Sequence, residues 1–160
     1  MATAARLIAV GEPVEDRHGQ PAALAPGAPG RIAVEAHDPA GGLSWAARTY
    51  TSRDGHDCIL AGLRRGFSLG VVRGEVFHPY APDTRGACGE LRRFGLVTSV
   101  QTFTEPHLRT LVFGRARPGT KMLRVSDPGG AQRVAPGTDG AFLLVYEGRV
   151  PATAVRVEPG

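Results

Sequence analysis

Across 160 residues the chain has a single lysine (Lys121), no asparagine, one tryptophan (Trp45), two cysteines (Cys58 and Cys88), and isoleucine only at positions 8, 32 and 59. Two cysteines cannot by themselves assemble a structural zinc site, which takes four ligands. No stretch approaches the roughly 18 apolar residues of a helix that spans a bilayer. One Lys beside 18 Arg, with Asn missing, marks avoidance of AT-rich codons, as in a high-GC bacterial genome. The net charge of +4 is therefore partly a genomic bias, and the longest basic runs are the pairs Arg64-Arg65 and Arg92-Arg93. Nucleic-acid binders cluster their cations on one face or in one run. Nucleic acid is thus not the expected partner. A polyanion-binding protein remains a second alternative, which requires many of the arginines on one face.

Helical signals are equally scarce. The best candidate, 1–10, has neither a cap nor a second apolar turn. Residues 11–30 hold four Pro and four Gly, which rules out a continuous helix or a central strand. We read 1–30 as an N-terminal arm or long loop. It could pair with its own domain or, by strand addition, with a second copy.

What the chain has instead is period-two alternation broken by Gly and Pro. Expected strands are 31–36, with Ile32, Val34 and Ala36 on one face; 43–52, with Leu43, Trp45 and Ala47 inward; then 57–63, 67–72 and 75–80. Asp54-Gly55, Arg64-Arg65-Gly66 and Arg73-Gly74 are the turns between them. After a loop over 81–93 the pattern resumes at 96–103, 110–116, 122–126, 132–135, 141–146 and 153–157. The run 141–146 (AFLLVY) is apolar on both faces, which predicts a central strand covered on both sides. Trp45, Leu60, Leu111, Phe113, Val125, Phe142 and Leu144 are the expected core. About eleven short strands with frequent turns indicate an all-β antiparallel sandwich or barrel. It divides into a meander half (31–94) and a second half (95–160), as one domain or two in tandem.

The second half, with Leu111-Val112-Phe113-Gly114, Leu123 to Asp127, Asp139-Gly140-Ala141-Phe142 and Val155-Arg156-Val157, resembles an immunoglobulin-like or fibronectin-like sandwich of bacterial surface proteins. The first half, with Trp45, Cys58 to Gly62, Leu69 to Gly74 and Cys88, is similar to secreted proteins of high-GC Gram-positive bacteria that have no assigned role. The resemblance implies an Ig-like β-sandwich at or beyond the cell surface, and none of its motifs is catalytic.

Two cysteines allow one bridge. Cys58 and Cys88 would close a loop of about 31 residues, for which the chain-entropy model gives about 3.7 kcal/mol. Both lie beside Gly-containing turns in an all-β chain, so we expect the bridge, and with it an oxidising compartment. Residues 1–10 lack the basic start and the apolar run of about 7–15 residues of a secretory signal. An extracytoplasmic chain whose signal is not present in this sequence is the expectation.

Catalytic patterns are weak. His56-x-Cys58 could aim two ligands to one side of a strand, but with His78, Cys88 and His107 it completes no zinc spacing; no metal or other cofactor is expected. Cys88 flanked by Gly89 meets only the minimal requirement for a thiol nucleophile. Ser68 stands in half of a Gly-x-Ser-x-Gly motif, inside a strand rather than at an elbow. Asp54 with Asp57, and Asp83 with Glu90, are carboxylate pairs that turn chemistry also explains. Gly70-x-x-x-Gly74 lacks the Lys-Ser/Thr ending of a phosphate loop. The hydrolase alternative would use His56, Asp57 and His78. The preferred expectation is a non-enzymatic module for binding or surface assembly, with a protein or cell-surface partner or a second copy of itself. Its recognition patch would be His78, Tyr80 and Arg85, beside the bridged loop.

Overall fold

The run 141–146 has no polar face to offer water, and the fold gives water neither face. The computed structural model describes residues 5–14 and 27–160. In it β13 (Ala141–Glu147) lies inside a central antiparallel sheet ordered β1 (Arg6–Val10), β13, β10 (Arg109–Ala116), β9 (Leu96–Phe103). Ala141, Leu143 and Val145 point into one hydrophobic core, and Phe142, Leu144 and Tyr146 into another. β10 divides in the same way, with Leu111 and Phe113 on the first side and Val112 and Ala116 on the second.

The first core is closed by a wide sheet ordered β2 (Glu12–Pro13), β3 (Gly27–His37), β4 (Ser44–Ser52), β5 (Asp57–Arg65), β6 (Ser68–Arg73), β7 (Val76–Pro79), with β8 (Ala87–Gly89) also paired to β5. Val34, Trp45, Ala47, Ile59 and Leu63 face the central sheet from it. The second core is closed by a small sheet ordered β12 (Gly130–Val134), β11 (Leu123–Asp127), β14 (Arg156–Pro159), through Leu123, Val125 and Val134. The protein is all-β: among the described residues all strand pairs are antiparallel and there is one short helix, α1 (Leu91–Phe94). Three sheets are stacked, with the central one covered on both faces. The first core draws side chains from both 31–94 and 95–160.

All seven expected core residues are buried. The turns follow local chemistry. Gly74 and Glu75 both have positive φ (57° and 66°) between the paired Arg73 and Val76, as a two-residue hairpin with right-handed strand twist requires. Asp127 Oδ1 accepts the Gly129 N–H at 2.7 Å to shape the β11–β12 turn.

Several expectations change. Ile32 does not share a face with Val34 and Ala36, because a register shift between Ile32 and Val34 inserts Ala33. Ile32 packs on the outer side of the wide sheet with Ala46 and Leu69. Among the described residues fourteen strands form rather than about eleven; the additions are β1, within the stretch read as an arm, and β2 and β8, which at two and three residues are too short to show a period. The stretch 153–157 opens as a 3-10 turn (Ala152–Ala154), and β14 runs later, over Arg156–Pro159. Most of the loop expected over 11–30 (15–26) lies outside the described residues. What is described of it is paired: β2 with β3 and Gly27–His37 with β4, while β1 pairs with β13 of the same chain. Between β1 and β2 the chain passes from the central to the wide sheet at Gly11. A Cβ there would meet Val34 Cγ2 at 2.5 Å, so the crossing needs glycine.

Candidate functional site

β8 is held to β5 by a backbone ladder and a covalent bond. Cys58 and Cys88 are direct cross-strand partners, Cα to Cα 4.1 Å, and they form a disulfide. Close approach is a condition of this pairing. A Cβ on Gly86, just before β8, would meet the Ile59 carbonyl oxygen at 2.1 Å. Tyr50, opposite Cys58 on β4, completes the anchor: its hydroxyl accepts the Gly86 N–H at 2.7 Å and lies 3.8 Å from Cys88 Sγ.

Beneath this pair lies Arg115 of β10. Its Nη1 donates to the carbonyls of Tyr50 (3.4 Å) and Cys58 (3.3 Å), and its Nε to the Asp139 carbonyl (3.1 Å). Burial lowers the Arg115 pKa, while Asp57 and Asp139 act to raise it. Asp139 in turn accepts both Arg31 (2.6 and 2.8 Å) and the Thr49 hydroxyl (2.7 Å). The Arg31 contact is the largest cause holding its carboxyl below the usual range. Arginines of the central and wide sheets thus carry the floor under Tyr50 and Cys58.

Above that floor is a cleft of about 480 Å³. Tyr50 and Ser52 of β4, the turn residues Arg53, Asp54 and His56, and Arg85 with Cys88 surround it. The turn is internally bonded. The Ser52 hydroxyl donates to Asp54 Oδ1 and accepts the His56 N–H at 2.9 Å; His56 Nδ1 is 3.0 Å from Asp54 Oδ2, and Nε2 is 3.5 Å from Glu90. The Ser52 hydroxyl, then the turn's own backbone and His56, hold the Asp54 carboxyl below the usual range. Ser52 gives its hydrogen to the Asp54 carboxylate rather than to an imidazole. Arg53 and Arg85 are exposed, and neither guanidinium has a protein partner among the described residues.

The residues singled out from sequence are only partly brought together. Arg85 lines the cleft, but His78 is exposed on β7 opposite Val71. Tyr80 is half-buried: its hydroxyl donates to the Ala61 carbonyl at 2.8 Å, and its ring lies where a Cβ on Gly62 would sit. The patch of His78, Tyr80 and Arg85 is therefore not one surface. Of the hydrolase set, His56 lines the cleft. Asp57 turns to the Leu91 N–H (3.3 Å) and Arg115 (3.8 Å). His78 is on β7, two strands over from β5 and level with Gly62, five residues from Asp57 or roughly 17 Å along the strand direction. Among the described residues no group of three or more His, Cys, Asp or Glu is placed to hold a metal ion, and no helix is long and apolar enough to cross a membrane.

Arg53, Ser52, Tyr50 and Arg115 were not picked out as site residues from sequence. The one available signal was Arg53-Asp54-Gly55, which reads as a turn; a turn motif does not reveal what its side chains face. Comparison with protein-family models, curated proteins and solved structures gives no match for this chain.

Proposed function

We propose that the protein is a non-enzymatic, extracytoplasmic β-module of immunoglobulin-like character that binds a cell-surface partner with its bridged end. The observation that carries this reading is the Cys58–Cys88 bridge between β5 and β8. It staples a loop that would otherwise be loosely held into a rigid wall, and recognition concentrates on loops held by rigid scaffolds. A structural disulfide also suits an oxidising compartment. The arginines weigh against a polyanion surface as the main role. Arg31, Arg64, Arg109, Arg115 and Arg117 are engaged with protein carboxylates or carbonyls and do not form a free basic face.

Fractionation of the native host, with thiols blocked at harvest, tests the reading. The chain is expected outside the cytoplasm, with Cys58 and Cys88 resistant to alkylation. Recovery in the cytosol with both thiols alkylated rejects it.

A further inference from the structure

The hydrogen-bonding capacity of the cleft is lopsided. Each Asp54 oxygen already holds one donor, Ser52 or His56, and the Tyr50 oxygen holds the Gly86 N–H, although the Asp54 carboxylate stays exposed at the rim. The two arginines outnumber that single carboxylate and supply the unpaired charge. Arg53 and Arg85 both line the cleft, one on the β4–β5 turn and one on the bridged loop, and each presents five N–H donors and no acceptor. The two guanidiniums carry like charge beside one cleft, with no carboxylate paired to either among the described residues. Both walls are fixed, one by the Ser52–Asp54–His56 bonds and the other by the disulfide. The backbone that carries both arginines is therefore set before any ligand arrives, which lowers the ordering cost of binding to that of the two side chains.

We propose that this cleft binds an oxyanion, carboxylate or sulfate, borne on a compact ring-sized body such as an acidic sugar; the inference rests on the binding role proposed above. Guanidinium groups match such oxyanions by paired, charge-assisted hydrogen bonds. The volume, about 480 Å³, is far larger than a bare ion needs and falls in the range of small-molecule sites. The ligand's ring would rest on the bridge sulfur and the turn backbone while its anionic group spans Arg53 and Arg85. Tyr50 is almost fully buried, so its ring offers no stacking face; selectivity should follow charge rather than aromatic stacking.

Amide-shift NMR titration of the intact, oxidised protein tests this, with methyl glucuronide (carboxylate), methyl glucoside 6-sulfate (sulfate) and neutral methyl glucoside as probes. Saturable shifts are expected at 53–58 and 85–89 with at least one anionic probe and not with the neutral one; the stronger of the two identifies the oxyanion. Arg53→Ala and Arg85→Ala should each weaken binding by about tenfold or more. Arg149→Ala, at the far end of β13 from the cleft, should not. Both cleft variants remove exposed side chains without protein partners among the described residues, and unchanged shift dispersion confirms that they fold. Equal shifts from the neutral probe, shifts confined to other faces, no shifts at all, or undiminished affinity in both variants overturns the inference. The binding module and its compartment then still stand on the fractionation result. Release of methanol from a probe would instead overturn the non-enzymatic reading, separately from the site.

Discussion

Asp38 and Arg109, distant in sequence, form a buried fork. Arg109 Nε donates to Asp38 Oδ2 at 2.7 Å and Nη2 to Oδ1 at 3.3 Å, and neither side chain is more than 8% exposed. Asp38 follows β3 in the wide sheet and Arg109 opens β10 in the central sheet, so the pair clamps one end of the first core. The Trp45 indole N–H (3.1 Å) and the Ala40 N–H (2.9 Å) satisfy the remaining carboxylate capacity. Removing one partner leaves a buried charge uncompensated. Arg109→Ala should cost about 3–5 kcal/mol in denaturant unfolding, and less when Asp38→Ala is added. A double-mutant cycle with no coupling would remove the clamp from the account.

The same clamp sets an acid limit. Burial pushes the Asp38 carboxyl up, but Arg109, the Ala40 amide and the Trp45 indole outweigh it, and the net position is below its ordinary 3.8. A carboxylate with a depressed folded pKa stabilises fully above the unfolded pKa and loses that contribution as pH falls through the folded one. The slope of unfolding free energy against pH below about 4 should therefore flatten in Asp38→Asn. An unchanged slope contradicts this assignment.

Reduction should destabilise the protein. The native chain is expected to be lighter than the reduced chain by the two thiol hydrogens, and Cys58→Ser with Cys88→Ser should lower stability by about 2–4 kcal/mol. Cleft amides at 85–89 should then show faster hydrogen exchange than those of β13. Uniform exchange across both regions would mean that the bridge does not hold the wall.

Phe142 and Gly114 test the second core. Phe142→Ala should cost about 3–5 kcal/mol. A Cβ at Gly114 would meet the Val97 carbonyl oxygen at 2.0 Å and the Phe142 ring at 2.7 Å. Gly114→Ala should therefore be destabilising even though the site is an interior strand position; equal or greater stability would refute the close packing.

Tyr80 predicts an alkaline limit. Burial pushes its phenol up from 10.0 to about 12. The neutral form is favoured in the fold, so the contribution is complete below pH 10 and lost as pH rises through about 12. Tyrosinate absorbance should show a late step near pH 12 that Tyr80→Phe removes. Tyr146 is pushed higher still by burial and by its bond to Asp127 and should ionise after it. A step at pH 10 for Tyr80 would mean that its ring is solvated.

What the sequence by itself determined was the set of local rules. Alternation at 43–52, Asp54-Gly55 and Arg73-Gly74 at turns, and the doubly apolar run 141–146 each act within a few residues, and each appears in the fold. The inward set of Trp45, Phe113 and Phe142 was legible for the same reason, because a strand exposes its faces at a fixed period. The tertiary structure alone decided the rest. Ile32 changed face because one inserted residue reverses a strand's pleat, and nothing local marks the insertion. Tyr80 turned inward because Gly62, on another strand, leaves room for its ring. The cleft could not be read from the chain, since Arg53 and Arg85 stand 32 positions apart and line one cleft where Cys88 is drawn against Cys58. The cysteine pair was visible from counting; which side chains the bridge would bring together depended on long-range strand order, which no short window of sequence encodes.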